Sequence, residues 1–225
     1  MKLAALTSGG KDSLFATHIM HSQGFEIRYL ITLLPERIDS YMFHYPNVHL
    51  TKYQAKAMGI QLLTKTTKGE KEKELEDLKK IIGSVKDEIE GVVTGALFSE
   101  YQKQRVDIIC ERLNLKSFAP IWHKDPEMLL REMVDAGFEI IVTAVAAYGL
   151  DESWLGRGID EECIQELKEL NEKYKIHIGG EGGEFETLVL DMPMFKRRLE
   201  ILKAEREWNK DSGVYRIDDV RLIDK

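Results

Sequence analysis

The chain has 225 residues, 43% hydrophobic and 32% charged, a composition that suits one large domain or two coupled ones and excludes a disordered polypeptide. No stretch nears the ~18–20 apolar residues of a membrane span, and Met1 to Thr7 runs into glycines rather than a cleavage site, so a cytoplasmic protein is expected. A net charge of −7 argues against a broad nucleic-acid surface: the cluster Lys196-Arg197-Arg198 reads first as a solvated face, and the two cysteines, Cys110 and Cys163, as buried thiols.

In chain order, residues 2–7 form an apolar run that enters glycines, and Leu14, Phe15, Ile19 and Met20 follow at helical spacing up to Gly24. Ile27 to Leu34 suits a buried strand. Asn47 reads as the cap of a helix that stops at Gly59, and Ile60 to Thr66 as the next strand. Glu70 to Ile82 carries one apolar stripe among alternating charges; Ile89 to Leu97 is strand-like, Ser99 to Asn114 helical, and Lys116 to Ile121 a short strand. Strands alternating with helices predict an α/β fold with a doubly wound parallel sheet.

Asp125-Pro126-Glu127 gives a cap, a proline at the first helical position and an acid in the first turn, which predicts a helix to about Ala136. Phe138 to Ala147 is apolar, Asp160 to Tyr174 helical, Ile176 to Gly183 glycine-rich, and Thr187 to Leu190 a strand. A polar turn at residues 209–213 separates two runs expected to pair as antiparallel strands, Arg198 to Trp208 and Val214 to Ile223. The reading is a nucleotide domain over residues 1–123 and a smaller C-terminal α+β domain over 124–225, expected to bind substrate.

The chemistry begins at Ser8-Gly9-Gly10-Lys11-Asp12-Ser13. A strand that passes through glycines into a helix points free N–H groups and the positive end of the helix dipole at one place, a ready phosphate site. The Walker pattern fails, with Ala5 where its first glycine belongs and Asp12 after Lys11. The segment instead resembles SGGxDS, the PP-loop of ATP pyrophosphatases, which split ATP between its α and β phosphates. Ser8 and Ser13 offer hydroxyls, Gly9 and Gly10 let backbone approach, and Lys11 adds positive charge. Asp12 would repel a triphosphate directly and suits a Mg²⁺ ligand or a loop brace.

Two further stretches, Gly95-Ala96-Leu97-Phe98-Ser99-Glu100-Tyr101-Gln102-Lys103-Gln104-Arg105 and Gly179-Gly180-Glu181-Gly182-Gly183-Glu184-Phe185-Glu186-Thr187-Leu188, resemble the diphthine–ammonia ligase family over about residues 1–190. The resemblance implies an adenine nucleotide alpha hydrolase-like sheet, with ATP and Mg²⁺ used to adenylate the diphthine carboxylate of translation elongation factor 2. Ammonium then gives diphthamide, with AMP and pyrophosphate released. The chain has no glutaminase-sized region and no early cysteine, so ammonia would come from solution or a partner. A homodimer stays open, and no stable nucleic-acid or membrane partner is expected.

Within these stretches, Lys11, Asp12, Glu184 and Glu186 are the catalytic candidates. Glu100, Tyr101, Arg105, Glu181, Gly182, Gly183 and Glu184 are the substrate-binding candidates. The glutamates could hold the trimethylammonium of diphthine, orient ammonium and take its proton, or help bind magnesium. Gly95 closes a strand at the carboxyl edge of the sheet, where close approach to ATP is expected. Arg105 could meet a phosphate or pair with Glu100 or Asp107 on its own helix. Phe43 and His44 follow the second strand, where related folds place the adenosine loop. Sulfur- or amine-transferring tRNA modification and a non-catalytic ATP-binding regulator are the alternatives. Missing cysteine pairs and a missing basic surface count against the first, the complete loop and late glutamates against the second.

Overall fold

The computed structural model describes residues 1–35, 47–67 and 71–225. Five parallel strands make the first sheet: β1 (Lys2–Leu6), β2 (Glu26–Pro35), β3 (Gln61–Thr67), β4 (Gly91–Val93) and β5 (Lys116–Phe118). Their spatial order is β3-β2-β1-β4-β5. The order reverses between β1 and β4, so the carboxyl ends of those two strands flank the crevice in which such sheets bind ligands. The PP-loop leaves β1 and the Gly95 segment leaves β4, which brings two stretches far apart in sequence to one place.

Helices cover both faces of this sheet. α1 (Lys11–Ser22) and α2 (Thr51–Met58) bury Leu14, Phe15, Ala55 and Met58 in a large core, while α3 (Lys71–Gly83) and α4 (Glu100–Leu113) bury Leu78, Ile82, Val106 and Ile109 in a second one. Their ends follow side-chain chemistry. Ser99 caps α4 by accepting from the Gln102 N–H, and Gly59 ends α2 in the left-handed region at φ 71°. Asn47 departs from its expected role. It sits at φ 68°, caps no helix, and uses its buried amide to accept from Ile217 N and donate to the Tyr215 carbonyl, tying the start of α2 to a distant strand.

The second sheet is antiparallel in the order β7-β6-β9-β8, built from β6 (Glu139–Val145), β7 (Phe185–Asp191), β8 (Arg197–Asn209) and β9 (Ser212–Asp224). α5 (Pro126–Asp135), capped by Asp125, and α6 (Glu161–Tyr174), capped by Asp160, pack beside it. The parallel and antiparallel sheets thus match the fold class expected from the sequence. They do not have separate interiors: Leu3 and Phe15 share one apolar cluster with Leu129, Phe138, Phe185 and Leu199. Both cysteines are buried, and burial raises the Cys110 thiol to about 12 and Cys163 to about 11. At neutral pH both remain protonated, without nucleophilic character. No helix among the described residues is long and apolar enough to cross a membrane.

Candidate functional site

The PP-loop is shaped by its own hydroxyls. Thr7 Oγ1 accepts from Gly9 N (3.0 Å) and lies 3.0 Å from Ser13 Oγ, which donates to the Gly10 carbonyl (3.0 Å). Gly9 stands at φ 87°, and a Cβ there would come 2.8 Å from Gln54 Oε1, so glycine is required on both counts. Long-range partners then fix the loop. Gln54 Nε2 donates to the Gly9 carbonyl (3.0 Å) and the Val189 carbonyl (2.8 Å), Val189 N donates to Gly9 O (3.1 Å), and Lys11 N donates to Thr187 Oγ1 (3.1 Å). Strand β7, from the far half of the chain, therefore grips the start of α1.

Lys11 is buried, and its Nζ donates to Asp12 Oδ2 (2.7 Å) and to the Gly179 carbonyl (2.7 Å) while sitting 5.6 Å above the Phe185 ring. The expected phosphate lysine thus also joins the PP-loop to the late glycine segment. Asp12 Oδ1 is buried and accepts no hydrogen bond among the described residues, which leaves its lone pairs available.

The late segment is organised by a residue that no motif singles out. His177 Nδ1 accepts from Gly179 N (3.0 Å) and from Glu181 N (3.4 Å), which places its proton on Nε2. Burial pulls its pKa down and keeps the ring neutral, although the Glu184 carboxylate pulls the other way. Glu184 makes its observed bonds within the late segment. One carboxylate oxygen accepts from His177 N and the other from Gly182 N, both at 2.8 Å, so the group braces its own turn. The two N–H groups lie seven and two residues before it, within reach of a carboxylate at the end of the same turn.

Glu181 and Glu186 remain beside Lys11 and Asp12. Glu181 Oε2 accepts from Phe98 N (3.3 Å), and its carboxyl is raised by burial and then by Asp12, with Lys11 opposing. Burial pushes Glu186 up to about 7; Lys11 lowers it, while Asp12 and Glu181 add to the rise. A carboxyl that changes charge near neutrality, next to a lysine, has the proton affinity of a general base.

These groups border a cleft of about 770 Å³. Ser8, Gly10, Lys11, Asp12, Ser13, Gly95, Arg105, Glu181, Gly183 and Glu186 line it; Gly9, Glu100, Tyr101, Gly182 and Glu184 are not among the described lining residues. Gly95 lines the cleft and also packs tightly against the loop's own helix. A Cβ on it would lie 2.5 Å from Ser13 N and 2.7 Å from the Asp12 carbonyl carbon, so the close approach is to the backbone of α1. The Arg105 guanidinium lies 3.3 Å over the Tyr101 ring. Of the expected ion-pair partners, Asp107 takes Lys103 (2.7 Å) and Glu100 takes the Gln104 amide (3.2 Å). Phe43 and His44 lie outside the described residues. Thr187, Gln54 and His177 escaped the sequence reading, as did Trp208, Asn209 and Ser212 of the β8–β9 turn, which line the same cleft. Thr187 falls within the late motif, and the turn residues carried a hairpin signal that says nothing of what the hairpin faces.

Residues 1–117 match the family model for the diphthamide synthase N-terminal domain and residues 125–223 that for the C-terminal domain. Proteins named diphthine–ammonia ligase are similar over most of the chain. The rat protein is 38% identical across 91% of this chain and 84% of its own length, and the human protein 37% identical across the same shares. The Schizosaccharomyces pombe protein is 39% identical across 91% of this chain but 37% of its own, longer sequence. A solved structure described as a predicted subunit of tRNA methyltransferase from Methanocaldococcus jannaschii DSM aligns with a TM-score of 0.47 and 17% identity over 86% of this chain and 98% of that one, a likeness too distant to inform the site. With a complete PP-loop braced against an acidic late segment, and relatives aligned along nearly its whole length, the chain belongs to the diphthine–ammonia ligase family.

Proposed function

We propose that this protein is an ATP-dependent amide ligase that adenylates the diphthine carboxylate of translation elongation factor 2 in the cytoplasm and converts it to diphthamide with ammonium. The observation that carries the reading is Lys11, which ties the phosphate loop to the late acidic segment within one cleft, so that nucleotide and acceptor chemistry share a centre.

The start of α1 receives the β and γ phosphates, where loop N–H groups and the helix dipole favour anions, and Arg105, steadied by Tyr101, is placed to meet a further negative charge. An acceptor carboxylate oxygen attacks the α phosphorus and pyrophosphate leaves with the bonding pair, giving an acyl-adenylate. Ammonium loses a proton to Glu186, and the resulting ammonia adds to the acyl carbon; the acyl–oxygen bond breaks, and AMP departs carrying the second proton that the nitrogen gives up. Holding the partners in line and offsetting charge carry most of the catalysis. Asp12, with a buried oxygen that accepts no hydrogen bond among the described residues, is the residue suited to hold Mg²⁺, which neutralises triphosphate charge when bound. The part of the chain from about residue 124 supplies the acceptor side of the cleft.

The test is to mix the protein with ATP, ammonium and elongation factor 2 bearing diphthine, following pyrophosphate and the mass of the factor. The expected result is pyrophosphate release matched by conversion of one acid to an amide. Pyrophosphate with an unchanged factor would sink the assignment.

A further inference from the structure

The cleft extends in two directions from the PP-loop. On the side of α3 and α4 its walls are apolar, formed by Leu6, Ile31, Leu33, Leu78 and Val106. Such walls suit a nucleobase. On the other side the wall is the tip of the β8–β9 hairpin, with Trp208, Asn209 and Ser212 facing the same space. The proposed reaction gives the first arm to the nucleotide and the second to the acceptor, and names no residue that selects the acceptor.

Strand register measures the second arm. Phe185 on β7 pairs with Val145 on β6, Val145 with Gly213 on β9, and Gly213 with Trp208 on β8. Residues directly opposite across strands project to the same face, so the four positions form one row. At ~4.8 Å per strand the row spans roughly 14 Å, from the aromatic ring under Lys11 to the indole. Gly213 shortens that reach. A Cβ there would lie 2.4 Å from Trp208 Cε3, so the indole occupies the space above the glycine and leans back across β9 toward β6. Its Nε1 donates to the Lys210 carbonyl (3.1 Å), in a turn where Lys210 stands at φ 57°, and this bond sets the plane of the ring.

An acceptor carboxylate oxygen set beside the PP-loop for attack on the α phosphorus, joined through a short alkyl chain to an imidazole, extends about 10 Å by ordinary bond lengths, a length that fits along the roughly 14 Å row. Building on the ligase reading, we propose that Trp208 is the acceptor-specificity residue, stacking on the substituted imidazole while the hairpin polar groups Asn209 and Ser212 receive the flanking chain. A planar π-face placed by a fixed hydrogen bond selects a flat heteroaromatic acceptor, and offset ring pairs contribute about 0.5–1.5 kcal/mol.

The test uses the full chain with Trp208→Phe and Trp208→Leu, both of which keep an apolar side chain over Gly213. ATP affinity is measured by calorimetry, and amide formation is followed against the concentration of elongation factor 2 bearing diphthine. The expected result for W208L is a KM for the factor raised about 3- to 10-fold, the loss of one ring pair, with ATP affinity unchanged. W208F should stay within about twofold of the parent, because a ring remains. A W208L protein with unchanged KM, or one whose loss lies in ATP affinity, overturns the proposal. If the parent protein forms no amide at all, the ligase reading itself has failed, a result distinct from either.

Discussion

Replacing Gly95 with alanine tests whether the second motif acts by shaping the first. The added methyl would stand 2.5 Å from Ser13 N, 2.6 Å from Ser13 Cα and 2.7 Å from the Asp12 carbonyl carbon, where ordinary contact begins near 3.4 Å. Every one of those atoms is backbone, so no side chain can swing aside. Either the β4 carboxyl end or the first turn of α1 must move by most of an ångström. Overpacking of this kind costs about 1–3 kcal/mol of stability. The catalytic cost is larger, because α1 carries Lys11 and Asp12, and displacing catalytic groups by about 1 Å lowers rates about 100-fold. G95A should therefore melt a few degrees lower and release pyrophosphate about 100-fold more slowly, measured by calorimetric melting and a coupled pyrophosphate assay. A variant with parental melting and parental turnover would refute the contact argument.

Other substitutions read other parts of the site. Glu184→Ala leaves the N–H groups of His177 and Gly182 without their acceptor, which should cost about 1–3 kcal/mol in a denaturant titration, whereas E184Q keeps one acceptor oxygen and should lose less. Equal stability for E184A and the parent would show that the brace is idle. Asn47→Ala removes both bonds that tie the start of α2 to β9 and should lower the denaturation midpoint by an amount equivalent to about 2 kcal/mol; an unchanged midpoint would remove Asn47 from the list of fasteners. Glu186 supplies the pH dependence. Its carboxyl is raised from 4.5 to about 7, so the folded protein holds that proton more tightly than the unfolded chain, and the resulting stability is present below 4.5 and lost as pH rises through 7. Amide formation, which uses the ionised form, should climb across the same window, and E186Q should be slow and flat there. An E186Q profile that keeps the parental rise would assign the limb to another group.

Legibility in the sequence tracked how local the information was. The strand–loop–helix at Ser8 to Ser13, the caps at Ser99, Asp125 and Asp160 and the stops at Gly24, Gly59 and Gly137 are set by neighbours a few residues away, and all appear where those neighbours imply. Asn47 was read as a local helix cap and instead bonds to a strand far along the chain, and the contact of Gly95 with the backbone of α1 is likewise one that its neighbours in sequence do not announce. For Glu184 the sequence suggested a ligand, because carboxylates stand beside glycines there, and did not announce the bonds it accepts from His177 N and Gly182 N. Trp208 was out of reach for a different reason. Its place in the cleft depends on the register of four strands, and no single segment carries that register.

The dispersed partners of the loop bear on how the two halves of the reaction are linked. A phosphate loop closed only by its own glycines could bind nucleotide whatever the rest of the chain did. Here the first N–H of α1 is taken by Thr187, and the Gly9 carbonyl is shared by Gln54 and Val189, so the loop keeps its shape only while β7 is docked. Lys11 makes the dependence mutual. An ammonium has three donors, and among the described residues two of them serve Asp12 and Gly179, which leaves the third to point at a phosphate oxygen without breaking either bond. The same positive charge offsets Asp12, Glu181 and Glu186, three carboxyl groups that would otherwise repel a triphosphate. Removing Lys11 would therefore weaken nucleotide binding, free the late segment and raise the proton affinity of Glu186 together, which is why a conserved-charge replacement such as arginine, too large for a buried position between Asp12 and Gly179, would not restore what lysine does there.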